Sequence, residues 1–424
     1  MVPYAVAAAW GLLLFYAFHP GRMSVDSIDE LIQGRAGTYT NWHPPVVSWL
    51  MGFAAAKAGS PWPVLALQLA MLAFGFAVLC HRTRDHRILV AGLFVLTLTC
   101  SPIWSLAVVL WKDVLMAGIL LCAVASLRCL RPWLALSILV CASLTRHNAL
   151  LAALPLMVPA AMMLANSLRV RLLAGLAALG AMVLAPSGAD RLLDAKDASS
   201  GTQVLAYDIA GICARAPNGA EHLTFADTNC AELAAGYSPV SATSIIFPPG
   251  RSRGYSWFTP RKRAIAHAWR RAVIAHPRAY LAHRWAVFQR LMSLDGLPNC
   301  YATHDGISPN PWGYALHRGR LLERLRDLET LLKPTVLFQG WLWMALAFSL
   351  AVLSWYRRHD DPLPFSVATS GFLYSAEYLL VSPTCDFRYV YWTVVASCAT
   401  AIMLGSTLRR QPAPSTRPLQ PAGH

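Results

Sequence analysis

Charge is what this sequence has least of. Only 13% of its 424 residues are charged and 56% are hydrophobic, whereas a soluble protein averages about 25% charged and roughly 45–50% apolar residues. The sequence also lacks CxxC pairs, zinc-ligand spacing, a G-x-x-x-x-G-K-[ST] loop and a dinucleotide-binding glycine motif. Together these absences exclude a solvated single-core enzyme, a disordered chain, a disulfide scaffold and the common nucleotide-binding sites.

The apolar residues fall in runs that favour membrane-spanning helices. A span needs about 20 mostly apolar residues, because lipid offers no partner to a free backbone N–H or C=O. The sequence therefore predicts an all-α polytopic membrane protein with about ten transmembrane helices. These spans are expected at 3–18, 61–80, 88–108, 113–127, 132–145, 148–166, 172–187, 335–356, 363–381 and 389–407.

Short basic segments predict the orientation in the membrane. With the N-terminus inside, twelve arginines fall in short cytoplasmic segments, and the alternation holds across all ten spans. This pattern indicates a multi-pass membrane protein with both termini in the cytoplasm. It also accounts for much of the net charge of +15, so that membrane lipids are expected partners and nucleic acid is not.

The remaining hydrophilic stretch divides the chain. It is too long and too patterned to be a linker, and it is predicted to be a mostly helical extracytoplasmic domain. The expected units are an N-terminal membrane module at 1–187 with its first outer loop at 19–60, the outer domain at 188–334, the last spans at 335–407, and a disordered cytoplasmic tail at 408–424.

The outer domain has two further features. Segments 261–292 and 316–333 are basic and amphipathic, and such helices beside a membrane usually lie on the headgroups. Because an oxidising compartment permits disulfides, Cys213–Cys230 is the first pairing expected and Cys300–Cys385 is a second.

Polar residues stranded near a bilayer are costly, so they are functional candidates. Five separate loops bring carboxylates, imidazoles and fixed cations to the outer ends of the spans, whereas the cytoplasmic ends have only scattered arginines. The candidates are Asp26, Asp29, Trp42, His43, Lys112, Asp113, Arg146, His147, Asn148, Asp386, Arg388 and Tyr389.

Each candidate also has a plainer interpretation. Asp26 could be a helix N-cap, Asp29 and Glu30 a solvated helix start, and His43 a packed interfacial residue. Lys112 and Asp113 could simply pair with each other. The two arginines, Arg146 and Arg388, cannot lose their charge and need an anionic partner, either Asp386 or a lipid phosphate. Glu377 is a lone acid within a predicted span.

This set suits glycosyl transfer at a membrane face. A carboxylate can act as general base on an acceptor hydroxyl, and fixed cations can hold a phosphate leaving group. The chain resembles the bacterial polytopic GT-C-type glycosyltransferases. The resemblance rests on HPGRMSVDSIDELIQGRAGTYTNWHPPVVSWL after the first span, and on LWKDVLMAGILL, LTRHNALLAALP and CDFRYVYW.

The resemblance implies an inverting transfer from a polyprenyl-phosphate sugar to a lipid, glycan or protein acceptor. It makes Asp26 the base or a ligand of a divalent cation (Mg²⁺ or Mn²⁺), with His43 and Asp29 beside it. It places the donor phosphate on Lys112, Arg146 and Arg388. Many such enzymes carry two adjacent acids in this loop, whereas here Ser27 follows Asp26, which leaves metal dependence open.

Two other functions share these features. A surface-glycan polymerase or ligase would use the same outer-face substrates, although its catalytic basic residues usually lie in large late loops. A transporter or flippase for a lipid-linked glycan would need polar groups along a path through the bilayer. Glu377 is almost the only such residue at mid-span, and the sequence has no obvious internal repeat.

Overall fold

The computed structural model describes residues 1–82, 86–164, 166–216, 228–246, 257–297, 301–358 and 361–405. Within these ranges the regular structure is helical, and extended pairing is limited to isolated bridges, which confirms the all-α prediction. The helices are α1 Val2–Phe18, α2 Val25–Ala36, α3 Pro45–Ala58, α4 Trp62–Arg82, α5 Arg87–Thr99, α6 Ser101–Ala107, α7 Lys112–Arg128, α8 Pro132–Ser143, α9 Ala149–Leu164, α10 Leu168–Leu192, α11 Ser200–Cys213, α12 Cys230–Ala235, α13 Thr243–Ile246, α14 Lys262–Ala275, α15 Pro277–Met292, α16 Arg320–Leu332, α17 Gly340–Trp355, α18 Leu363–Ala376, α19 Tyr378–Val381 and α20 Tyr391–Leu404.

The predicted count of about ten spans is not supported by helix length. In the described part of the chain, three helical stretches are long and apolar enough to cross a membrane: α4, α10 and Phe387–Leu404. The pair α5 and α6, bent by 49°, would make a fourth. Several other apolar runs form helices of only 12–17 residues, roughly 18–26 Å long, because prolines and turns end them early.

The helices α1, α4, α7, α9, α18 and α20 pack around one hydrophobic core. Helix α7 lies near its centre, since Met116, Leu120 and Val124 are fully buried. By contrast, α10 is largely exposed along its apolar length. The core therefore positions the beginning of α7, where Lys112 and Asp113 lie.

Helix α2 is fixed against α3 by an unusually close crossing. A methyl group placed on Gly34 of α2 would lie 2.0 Å from the carbonyl oxygen of Ser48 in α3. One placed on Gly52 would lie 2.2 Å from Gly34 backbone atoms. Only two glycines allow the helices to approach this closely, so the crossing sets the position of the whole 19–60 segment that had been predicted as a loop.

The segment 188–334 is helical where it is described, and it has a second, smaller core around Tyr207, Phe258 and Ile265. The predicted Cys213–Cys230 disulfide is confirmed. Cys385 is disulfide-bonded, but Cys300 lies outside the described residues, so the second pairing stays a prediction.

This segment also forms backbone hydrogen bonds with two loops that adjoin candidate residues, the loop around Met23 and the loop at 383–385. Ala242 N donates to Pro383 O at 2.8 Å, and Cys385 N donates to Val240 O at 2.7 Å. On the other side, Met23 forms backbone hydrogen bonds with Gly306 and Ser308. Residues from the beginning and the end of the chain are thereby held against the same domain.

Helix α16 contributes a buried ion pair rather than only an amphipathic surface. The Arg22 guanidinium donates two hydrogen bonds to the Glu329 carboxylate, at 2.9 and 2.6 Å, and both side chains are buried. The sequence predicted that 316–333 lies on lipid headgroups. The structure shows in addition that one face of α16 packs on the loop after α1.

Candidate functional site

The first turn of α2 presents Asp26. The N-cap is Ser24, whose hydroxyl accepts from Ser27 N while the Ser27 hydroxyl accepts from Ser24 N. This capping box satisfies the helix terminus, so the alternative that Asp26 serves as the N-cap is wrong. Its carboxylate instead points into a cleft, with 29% of the side chain exposed.

Asp26 is paired with Arg388 from the far end of the chain. Its Oδ2 lies 2.8 Å from Arg388 Nη1, and its Oδ1 lies 3.9 Å from His43 Nε2. Burial alone would raise the pKa of Asp26, but the positive charges of Arg388 and Lys112 outweigh burial and hold the pKa well below its usual range. The carboxylate is therefore ionised at any physiological pH.

Arg388 is fixed on three sides. Its Nε lies 2.9 Å from Asp386 Oδ2, and its guanidinium carbon lies 4.9 Å from the centre of the Trp111 ring. The sequence left two anionic partners open for Arg388, Asp386 or a lipid phosphate. In the structure its partners are two carboxylates, Asp386 and Asp26. Arg388 contacts the two acids through different nitrogens. Asp386 can therefore hold the side chain through Nε while Nη1 leaves Asp26 for another anion.

Lys112 does not pair with Asp113, so that prediction is wrong. Its ammonium lies 3.3 Å from Glu30 Oε1 and 2.8 Å from His43 Nδ1. Glu30 is 1% exposed, which corrects its interpretation as a solvated helix start. Burial raises the pKa of Glu30 to about 7, against the opposing effect of Lys112, so this carboxylate titrates in the physiological range.

His43 joins Lys112 to Asp26. Lys112 can only donate, so Nδ1 of His43 accepts and its proton sits on Nε2, the nitrogen that faces Asp26. Burial and the Lys112 charge lower the pKa of His43 well below its ordinary value. A neutral imidazole with its basic nitrogen already occupied orients its neighbours and is a poor base.

Asp113 pairs with Arg146, and both side chains are buried. Arg146 also donates to the Tyr378 hydroxyl at 2.7 Å and to Asn148 Oδ1 at 2.6 Å. The Asn148 amide donates in turn to Glu377. The lone acid of the predicted span therefore has a partner, and the loop at 146–148 is fixed by residues of α7 and α19.

Tyr389 provides a flat wall between the two arginines. Its ring stacks on Tyr378, with centres 4.8 Å apart and planes at 9°. The guanidinium carbons of Arg146 and Arg388 lie 4.9 and 5.4 Å from its centre. Such cation–π contacts hold two like charges close together without pairing them to each other.

Two other candidates stand apart from this network. Asp29 accepts from Gln33 Nε2 at 2.7 Å and is not among the residues that line the cleft, so the geometry does not support a catalytic role for it beside Asp26. Four residues separate Asp26 from Glu30, and Glu30 is the acid that turns inward. His147 is exposed and lines the cleft without an ion pair in the described residues.

The cleft has two lobes that meet at Asp26, His43, Arg388 and Tyr389. The cationic lobe, about 220 Å³, is lined by Lys112, Arg146, His147 and Asn148. The neutral lobe, about 440 Å³, is lined by Trp111, Ser241, Thr243, Tyr301, Thr303 and His304. Trp42 and Gln203 line both.

Sequence reasoning missed every residue that the 188–334 segment brings to the cleft. Gln203, Thr243, Thr303 and His304 are ordinary surface residue types in a polar segment, and their spacing in the chain carries no signal. Hydrogen bonds to Met23, to the 383–385 segment and to Phe387 hold the loops at 301–308 and 238–242 at the cleft.

The residues present do not fit a divalent cation. Across the described ranges, three or more His, Cys, Asp or Glu side chains never gather as a metal-ligand group. Asp26 and His43 are the two ligands available, and Arg388 and Lys112 lie beside them. These two cations would repel Mg²⁺ or Mn²⁺ and already satisfy the groups that would bind it.

In sum, the site brings Asp26, His43, Lys112, Arg146 and Arg388 within one cleft, with carboxylates behind every cation. Such an arrangement can bind an anion by exchange with the carboxylates, and it can deprotonate a hydroxyl. Comparisons with protein families, with curated proteins and with solved structures find no match to this chain.

Proposed function

We propose that this protein is a membrane-embedded, inverting glycosyltransferase that moves a sugar from a polyprenyl-phosphate donor to an acceptor hydroxyl. The observation that carries the proposal is the contact between ionised Asp26 and Arg388, at 2.8 Å, at the junction of a cationic lobe and a neutral lobe. A base and a phosphate-binding cation are thus held within one hydrogen bond of each other.

The proposal places the protein in a bacterial inner membrane, with about ten membrane-crossing segments, both termini in the cytoplasm and the cleft on the extracytoplasmic face. The positive-inside pattern supports this orientation. The exposed leucines of α10, among them Leu172, Leu173, Leu176 and Leu184, support contact with lipid. Shorter apolar helices would cross the membrane where the bilayer is locally thinned.

In the proposed reaction, the donor phosphate enters the cationic lobe and takes Arg388 Nη1 from Asp26. Loss of this partner raises the basicity of Asp26 when the substrate arrives. The acceptor oxygen then attacks the anomeric carbon, its proton passes to Asp26, and the bond from that carbon to the phosphate oxygen breaks. Polyprenyl phosphate leaves with one more negative charge, which Lys112, Arg146 and Arg388 stabilise.

The other residues act by positioning. Asp386 holds Arg388 through Nε, Asp113 and Asn148 hold Arg146, and Glu30 with His43 holds Lys112. Trp42 and Tyr389 offer aromatic surface to a sugar ring.

Mass spectrometry of surface glycans and glycolipids tests the proposal in a strain that lacks this protein. One glycan or glycolipid should be shortened by a sugar and restored by the wild-type chain, with the undecorated acceptor accumulating meanwhile. An unchanged profile of both classes of molecule would contradict the proposed function.

Replacement of Arg388 by lysine should weaken donor binding about tenfold or more. The guanidinium has several N–H donors that point in different directions, whereas a lysine has one ammonium. That ammonium cannot contact Asp386 and also donate two hydrogen bonds to a phosphate. The measurement is donor Kd with purified protein in nanodiscs. Arg128→Lys is the matched control, because Arg128 pairs with one carboxylate, Asp361, at 2.8 Å, and it should bind donor as wild type does. Equal Kd values for both variants would remove Arg388 from the phosphate site.

The donor KM should depend on pH through Glu30. With its pKa raised to about 7 by burial, Glu30 is neutral at pH 6 and ionised at pH 8, where it competes with the phosphate for Lys112. A phosphodiester stays singly charged over this range. The donor KM should therefore rise about fivefold from pH 6 to pH 8, the effect of an ion pair of about 1 kcal/mol.

Glu30→Gln should keep the donor KM low at both pH values, because the amide imitates the protonated acid. Glu323→Gln, on the exposed face of α16, should retain the wild-type pH dependence. A dependence that persists in Glu30→Gln would assign it to another group.

A further inference from the structure

The two lobes of the cleft differ in charge. Besides Asp26 and Arg388, which both lobes share, the fixed charges lining the cationic lobe are Lys112 and Arg146. In the neutral lobe the described lining adds one fixed charge, the carboxylate of Asp386. The lining of the cationic lobe is net positive, because the acids that pair with Lys112 and Arg146 lie behind its wall. In the neutral lobe the two acids that match the single guanidinium are themselves part of the lining.

The neutral lobe also differs in the kind of polar group that it offers. The 188–334 segment supplies uncharged donors and acceptors: the Gln203 amide, the Ser241 and Thr243 hydroxyls, and Thr303. Within the described residues, the buried Thr303 hydroxyl has no hydrogen-bond partner. A buried hydroxyl left unpaired is costly, and rotation of the Thr303 side chain toward a hydroxyl of a ligand in the lobe would remove this cost.

Aromatic rings complete the lobe. Trp42, Trp111 and Tyr389 line it together with Tyr301, which is 55% exposed. Apolar ring faces beside uncharged hydrogen-bonding groups match the two surfaces of a sugar, its C–H face and its hydroxyl rim. An anionic sugar would meet Asp26 and Asp386 in the same space.

We infer that the neutral lobe is the acceptor subsite, that it takes an uncharged, hydroxyl-rich glycan, and that residues 301–304 and 241–243 select it against acidic sugars. This inference rests on the proposed function, because a cleft with a phosphate lobe on one side leaves the other side for the acceptor. The selection follows from charge and hydrogen bonding in the neutral lobe alone.

Calorimetric binding in the absence of donor tests this inference. The probes are mannotriose, galactotriose and maltotriose as neutral ligands, and trigalacturonate as the acidic one. At least one neutral trisaccharide should bind the wild-type protein, with an affinity at least tenfold above that of trigalacturonate. Thr303→Val should weaken that binding about fivefold, the effect of one hydrogen bond, and Gln203→Leu should weaken it as well.

Thr330→Val is the matched control, because Thr330 is exposed on α16, and it should bind as wild type does. The inference is overturned if trigalacturonate binds more tightly than every neutral probe, if none of the neutral probes binds, or if Thr303→Val and Gln203→Leu both bind as wild type does. Consumption of a polyprenyl-phosphate sugar is measured separately, so a protein that binds glycans without using this donor would refute the proposed function and not the subsite.

Discussion

Asp26→Asn should abolish sugar transfer while leaving the protein folded and inserted in the membrane. The amide has nearly the shape of the carboxylate, so no cavity forms, and Arg388 keeps its contact with Asp386. What disappears is the base, whose contribution is typically 10²–10⁴-fold. We expect transfer at least about 100-fold slower, measured with purified protein, and no restoration of the glycan profile in the strain that lacks this protein.

The matched control for this change is Asp29→Asn. Asp29 lies one turn further along α2, and its carboxylate accepts from Gln33 rather than facing the cleft. It should therefore retain near-normal transfer. If Asp26→Asn retains activity within a few-fold of wild type, or if Asp29→Asn loses as much, Asp26 has no role as the base.

Gly34→Ala should lose both stable folding and activity. The added methyl group would lie 2.0 Å from the Ser48 carbonyl oxygen and 2.7 Å from Gly52 N, and backbone atoms cannot move aside as a side chain can. Overpacking costs typically 1–3 kcal/mol, and occasionally more. Since α2 must shift away from α3, Asp26 should leave the cleft and Glu30 should lose its contact with Lys112, with a lower Tm in thermal unfolding and loss of donor binding.

Gly92→Ala separates this effect from helix propensity. Gly92 lies within α5 with open space around its Cα, so alanine there should leave the Tm unchanged or raise it slightly. Wild-type stability and donor affinity in Gly34→Ala would show that the α2–α3 crossing does not position the site.

The grouping of the candidate residues could be predicted because charge is so scarce in this chain. Asp26, Lys112, Arg146 and Arg388 lie far apart in the sequence, and the predicted membrane topology puts them on one side. The structure brings all four into one cleft. Which acid pairs with which cation could not be predicted. A shift of one residue along a helix turns a side chain to a different direction, and the sequence does not fix these directions that finely.

Glu30 and Asp29 show this limit. Residues at i+3 and i+4 lie on the same face of a helix as residue i, so periodicity could not say which of the two acids is buried against Lys112 beside Asp26. The crossing of α2 on α3 decides the question, and it depends on a contact between Gly34 and Gly52 that no hydropathy pattern records.

Hydropathy predicted the helices better than their lengths. The apolar run at 88–108 is interrupted at Cys100, before Pro102, and becomes α5 and α6. Composition gives the total apolar length, but a proline or a turn inside a run decides how much of it forms one helix. Gln203 and Thr303 were beyond prediction for a different reason, since tertiary contacts alone bring helix α11 and the loop at 301–308 to the cleft.

The Arg22–Glu329 pair has a consequence for biosynthesis. Arg22 leaves the ribosome early, but the carboxylate that neutralises it follows 307 residues later, roughly 15 to 60 s at ordinary translation speeds. Until then this guanidinium must stay hydrated or be shielded by lipid headgroups, and α2 cannot settle. A nascent chain that stalls before Glu329 would thus keep a permanent cation without its carboxylate partner directly after α1.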